Sequence, residues 1–137
     1  VDPRKRMMFD PAESVSLNGD TGPFVQYTYA RCKAVLRKAG DYSIGDHVEL
    51  VDKERQLLRN LLEFRNTVSL AAEEMNPAAI ANYCIEIAKK YNQFYHDNQI
   101  LKAEDSVKGF RLALTALTAE TIKTAMSLLG IRVPERM

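Results

Sequence analysis

Tyr27, Arg31, Ala34 and Lys38 follow one another at intervals of four, three and four residues, so on a helix they share one face. Gln26, Lys33 and Arg37 flank them. These residue types point to a particular chemistry. A phenol ring gives an unpaired nucleobase a flat surface to stack on. A guanidinium stacks as well and donates hydrogen bonds to phosphate or to base edges. Stacking of this kind contributes roughly 1–3 kcal/mol per base, which a face of lysines alone does not supply. The plainer alternative is a tyrosine packed under a loop beside solvated cations, and taken alone a face of this kind is more often that. Two weaker candidates accompany it. One is Tyr95 with His96 and Gln99; the other is the tail, where Arg132, Arg136 and Met137 combine cations with an apolar side chain.

Covalent and metal chemistry finds no support in the residues. His47 and His96 stand apart, with no HExxH, CxxC or paired-histidine spacing, so no metal site is expected. No serine lies in a GxSxG context. The stretch "NGDTG" has glycines but lacks the lysine of a phosphate-binding P-loop. Glu73-Glu74 and Glu104-Asp105 fall at a helix end and a helix start, where solvation or the helix dipole accounts for them. The expectation is a binding surface without an active site or cofactor.

The 137 residues suffice for one domain with a real core, and 46% apolar with 27% charged residues is an ordinary soluble composition. Nothing approaches the run of about 18 apolar residues that a membrane span needs. The start, "VDPRKRMMF", has no signal-like apolar core and reads like a piece cut from a longer protein. Cys32 and Cys84 fall on apolar helix faces and are expected as buried free thiols of a cytoplasmic protein. The net charge of +1 conceals an uneven distribution: +3 over residues 1–40, −4 over 41–76 and +2 over 77–137. Ordinary surface scatter explains it, although basic ends meeting in space would attract a polyanion.

Helices must position these side chains. Asp10-Pro11 reads as a cap and first turn of a short helix, broken by "LNGDTGP". Pro23, capped by Thr21 or Gly22, opens a second helix that Gly40 stops after Ala39; Val25, Tyr29, Cys32, Val35, Leu36 and Ala39 form its buried stripe. From about Val48, Leu57, Leu61, Phe64, Val68, Ala71 and Met75 predict one kinked helix or two in sequence, ended by Asn76-Pro77. Ile80, Tyr83, Cys84, Ile87, Ala88, Tyr91, Phe94 and Tyr95 mark the next. A last helix begins near Glu104 or Asp105, with Val107, Phe110, Ala113, Leu114, Leu117, Ile122, Ala125, Leu128 and Leu129 as its apolar series and Gly130 as its stop. No strand-length alternation occurs. The fold class is an all-α bundle of five to six helices.

The stretch "FDPAESVSLNGDTGPFVQYTYARCKAVLRKAG" resembles arginyl-tRNA synthetases where the catalytic body joins the C-terminal domain, and "GDTGPFVQYTYAR" is its most specific part. "YNQFYHD" and the closing "LLGIRVPERM" resemble that family in the same order, so the similarity covers essentially the whole chain. It implies a helical anticodon-binding domain of the DALR type over residues 23–137, preceded by a linker, short helix and approach loop over 1–22. It implies a class I parent that uses ATP and Mg to activate arginine and charges the cognate tRNA. The HIGH and KMSKS signatures of that catalytic domain are not in these residues, so this piece would bind tRNA without aminoacylating it. Carried over motif by motif, the tRNA-binding residues are the loop Asn18, Gly19, Asp20, Thr21 and Gly22, then Tyr27, Arg31 and Lys38 on the helix, then Tyr95 and Gln99, and finally Met137, which closes the anticodon pocket. Gln99 stands where eukaryotic-type members carry an aromatic residue, a bacterial-type variation. The implied partners are the arginine tRNA and the enzyme's own catalytic domain, with the isolated piece monomeric. The competing expectation is a helical protein-interaction or structural domain that uses the tyrosines only as packing.

Overall fold

The computed structural model describes residues 6, 8, 10–46 and 49–137. His47, Val48 and most of "VDPRKRMMF" lie outside the described residues. Among the described residues the chain is helical, with no strand, and no helix is long and apolar enough to cross a membrane. The elements are α1 (Pro11–Ser14), α2 (Gly22–Ala39), α3 (Asp52–Leu62), α4 (Phe64–Glu73), α5 (Pro77–Asp97) and α6 (Asp105–Leu128).

Three of them begin with the same device. Asp10, Thr21 and Asn76 are the caps of α1, α2 and α5, and each side chain accepts a backbone N–H of the first turn while a proline occupies that turn. Gly40 ends α2 at φ +66°, and Gly130 at φ +73° turns the chain after α6, conformations that cost glycine nothing. The series beginning at α3 is interrupted at Glu63, so it forms two helices.

α5 and α6 are the centre. α2 packs on both, α3 packs on both, and α4 packs on α5 and α3. Tyr29, Leu57, Ile87, Tyr91, Phe94, Leu112, Ile122 and Met126 are fully buried where these helices meet. Three features depart from the sequence pattern. Met75 is exposed, since the chain turns out of α4 there at a positive φ of 49°. Leu117 and Leu128 face solvent, and the buried face of α6 runs instead through Leu112, Thr115, Thr118, Thr121, Ile122, Ala125 and Met126. Two of these threonines are tolerated because each hydroxyl donates back along the helix, Thr115 to the Arg111 carbonyl and Thr118 to the Leu114 carbonyl, both at 2.8 Å. Glu54 is also buried. Its Oε1 accepts from Arg111 Nε at 2.7 Å and its Oε2 from the Val51 N–H at 2.9 Å.

Candidate nucleic-acid interface

The start of α2 is held before any functional side chain appears. Thr21 Oγ1 donates to the Ser16 carbonyl and accepts from the Phe24 N–H at 3.2 Å. Gly19 makes the preceding turn at φ +88°. Phe24 then packs against the core, which fixes the rotation of the helix about its axis. With Val25, Tyr29 and Cys32 turned inward, Tyr27 and Arg31 come to the surface half-buried.

Arg31 does not project freely. Its guanidinium carbon lies 4.9 Å from the centre of the Tyr27 ring and 5.2 Å from the centre of the Tyr95 ring, and Nη1 donates to Asn92 Oδ1. Tyr95 is partly exposed near the end of α5. Its ring stacks at 6.3 Å on Tyr91, which is fully buried, so the platform is backed by the core. The tail completes the surface. Gln26 Nε2 donates to the Arg132 carbonyl at 2.7 Å, Arg37 Nη1 donates to the Glu135 carbonyl at 3.0 Å, and the Lys33 ammonium is 3.5 Å from the Glu135 carboxylate. These contacts lay residues 132–135 along α2 and deliver Arg136 and Met137 to the same place.

The result is an open cleft of about 490 Å³ lined by Tyr27, Ala30, Arg31, Ala34, Arg37, Tyr95, Arg136 and Met137. Three arginines and two tyrosines line it, with no Asp or Glu side chain among them. Ala30 and Ala34 are the small residues of the lining and leave the cleft open between the larger side chains. A flat, electron-rich ligand bearing negative charge matches this lining: π faces for stacking, cations for charge and a thioether to fill remaining space.

The structure brings together four residues of the sequence-based candidate set, Tyr27, Arg31, Tyr95 and Met137. It sets the others apart. Asp20 forms an ion pair with Lys89 and, with Asn82, Ile85 and Glu86, lines a separate concavity. Asn18, Gly19, Thr21 and Gly22 do not line the cleft, and Lys38 is exposed beyond it. Gln99 lines a neighbouring cleft of about 420 Å³ with His96, Asn98 and Lys102, and Tyr95 walls both. The Gln99 carbonyl accepts from Arg111 Nη1 at 2.6 Å. The sequence alone offers Arg37 only as a flanking cation and Arg136 only as part of the weaker tail candidate, and it does not single out Asn92. Arg37 carried a usable signal, since it lies on α2 within a turn of Ala34; Asn92 carried none.

Comparison with known proteins shows the family to which the chain belongs. The model of the DALR anticodon binding domain family matches residues 25–137. The arginine–tRNA ligase of Phocaeicola vulgatus is 51% identical over 144 aligned positions, covering 100% of this chain and 24% of that protein. That of Flavobacterium psychrophilum is 48% identical, covering 100% of this chain and 23% of that protein. The chain thus spans about a quarter of the length of the curated relatives it matches. Among solved structures, Thermus thermophilus arginyl-tRNA synthetase superposes with a TM-score of 0.93 at 37% identity, over 98% of this chain and 24% of that one. The arginyl-tRNA synthetase of Plasmodium falciparum shares the fold, with a TM-score of 0.85 at 20% identity over 100% of this chain and 25% of that one. The chain belongs to the DALR anticodon-binding domain family and resembles, along its whole length, the copies carried by arginyl-tRNA synthetases.

Proposed function

We propose that this chain is the part of an arginine–tRNA ligase that grips the anticodon loop of arginine tRNA, with residues 23–137 as the binding unit and 1–22 as the linker to the rest. The observation that carries the reading is the cleft in which Tyr27, Arg31 and Tyr95 meet Arg37, Arg136 and Met137 without a carboxylate side chain. A splayed-out base inserts there and stacks on the tyrosine rings. Arg31 donates to the base edge through the N–H groups that Asn92 leaves free, because a guanidinium has five donors. Arg136 and, further along α2, Lys38 meet the phosphates. The strand continues over Tyr95 into the neighbouring cleft, where Gln99 and Asn98 offer amides and Lys102 a cation. On the other side the loop Asn18–Gly22 flanks the strand: a Cβ at Gly19 or Gly22 would meet nothing within 4 Å, leaving room for ribose and phosphate, and Lys89 offsets the charge of Asp20. Arginine activation, with its ATP and Mg, belongs to the rest of the ligase, in the cytoplasm.

Titration of the 137-residue chain with arginine tRNA and a non-cognate tRNA at two salt concentrations tests this. Cognate tRNA should bind more tightly, and affinity should fall steeply with salt as neutralised phosphates release counterions. Tyr27→Ala should weaken binding by about 1–3 kcal/mol. A shallow salt slope with no effect of Tyr27→Ala would reject the reading and favour a helical protein-interaction domain, whose contacts rest on apolar anchors.

A further inference from the structure

The position of the Arg31 guanidinium is set by a chain of hydrogen bonds that begins in the core. Thr28 on α2 is fully buried, and its hydroxyl donates to the Phe24 carbonyl at 2.9 Å. Its oxygen is therefore an acceptor toward Asn92, whose Nδ2 donates to it at 2.8 Å and to the Ala88 carbonyl at 2.9 Å. Both neighbours of that nitrogen accept. An Asn92 amide rotated by half a turn would set its oxygen against the Ala88 carbonyl, which only accepts, and its nitrogen against the Arg31 guanidinium, which only donates, so the orientation is decided by chemistry. Oδ1 must face Arg31, which donates to it.

We propose that Asn92 is a positioning residue for RNA contact: it holds the Arg31 guanidinium in the gap between Tyr27 and Tyr95 before RNA arrives. The inference rests on the anticodon-contact reading above. An arginine side chain has many rotamers, and freezing one on binding weakens a complex by roughly 2- to 12-fold. Here that ordering is complete in the free protein. Asn92 uses one N–H of the guanidinium and leaves the others for the ligand. It also links the start of α2, through Phe24 and Thr28, to the far wall of the cleft on α5.

The test uses the 137-residue chain and a synthetic anticodon stem–loop RNA of an arginine tRNA. Two quantities are read: RNA affinity, and NMR relaxation of the Arg31 Nε–Hε pair in the free protein. Asn92→Ala should weaken binding roughly 2- to 12-fold and make the Arg31 pair mobile. Added to Arg31→Ala, it should cost nothing more, whereas a residue needed only for the fold would cost the same in either background. Thr28→Val removes the acceptor that orients the amide while keeping the shape; it should reproduce the mobility and carries the same comparison if Asn92→Ala does not fold. A rigid Arg31 in these variants, or equal losses in both backgrounds, overturns the proposal. Weakening by Arg31→Ala with none from Asn92→Ala or Thr28→Val also overturns it and leaves the anticodon reading standing. Unchanged binding by Arg31→Ala removes the anticodon role of Arg31, and the positioning role with it.

Discussion

Replacing Arg111 with methionine takes a guanidinium away from a carboxylate that cannot reach water. The Glu54 side chain is fully buried and that of Arg111 is 13% exposed. Arg111 Nε donates to Glu54 Oε1 at 2.7 Å and Nη1 to the Gln99 carbonyl at 2.6 Å, so one side chain ties the first turn of α3 and the α5–α6 connection to α6. Methionine preserves most of the apolar stem, and the effect is therefore that of the lost charge and its hydrogen bonds. An exposed pair such as Arg55–Asp52, 3.1 Å apart, is worth about 0–1 kcal/mol. Breaking a buried pair by removing one partner costs about 3–5 kcal/mol, because the remaining charge keeps its desolvation penalty. A domain stable by about 5–15 kcal/mol would lose a large share of its margin. For a chain of this length that corresponds to roughly 10–20 °C in Tm. Urea denaturation followed by far-ultraviolet circular dichroism, with a thermal melt beside it, measures both. Arg55→Met is the control and should move stability by less than about 1 kcal/mol. Glu54→Leu combined with Arg111→Met should recover part of the loss, since no charge then remains buried, although the Val51 N–H gives up an acceptor. A cost for Arg111→Met as small as that of Arg55→Met would refute the reasoning, and so would a double variant weaker than the single one.

Gly109→Ala should destabilise although alanine is the better helix former by about 1 kcal/mol: the new Cβ would lie 1.9 Å from the Ser43 carbonyl oxygen, and overpacking of this kind costs about 1–3 kcal/mol. A higher Tm for that variant would show that the 41–46 loop does not close over α6. Thr21→Ala removes the cap of α2 and should cost about 1 kcal/mol in urea, with Thr21→Ser, which can still accept from Phe24 and donate to the Ser16 carbonyl, retaining most of it; equal losses from both would mean that the side-chain cap contributes nothing. Burial pushes the Cys32 thiol from an ordinary 9.0 up to about 12, outweighing the lowering effects of Tyr91 and Arg31, and pushes Cys84 up to about 11. The unfolded chain releases these protons first. Stability should accordingly hold below about pH 9 and decline above it, by up to about 1.4 kcal/mol per pH unit for each thiol. Urea midpoints in reducing buffer across that range check the sign, and a Cys32→Ala/Cys84→Ala variant with the same alkaline decline would assign it elsewhere.

What the sequence disclosed and what it hid divide along one physical line. Signals confined to a single helix were legible: the prolines and caps at Asp10, Thr21 and Asn76, the glycine stops at Gly40 and Gly130, and the inward stripe of α5 from Ile80 to Phe94. Tyr27 and Arg31 were legible for the same reason, since their spacing puts them on the side of α2 that the core leaves over. α6 was read less well because it is central: partners on several sides leave no wide polar face, and threonines that bond their own backbone pass as apolar. Met137 entered through family resemblance, because nothing local says that a tail folds back along α2. What escaped altogether are the pairings of polar groups whose partners are remote in the chain. Arg31 and Asn92 are 61 positions apart, and Arg111 and Glu54 are 57 apart. Periodicity sorts a residue by whether it prefers water, and by that measure each of these belongs outside. Their burial becomes favourable only once the opposite partner has been delivered by another helix, so the information lies in the packing. The cleft follows this logic. Its rings can be read from α2 and α5 separately, while the contact that orients the cation between them exists only where the two helices meet.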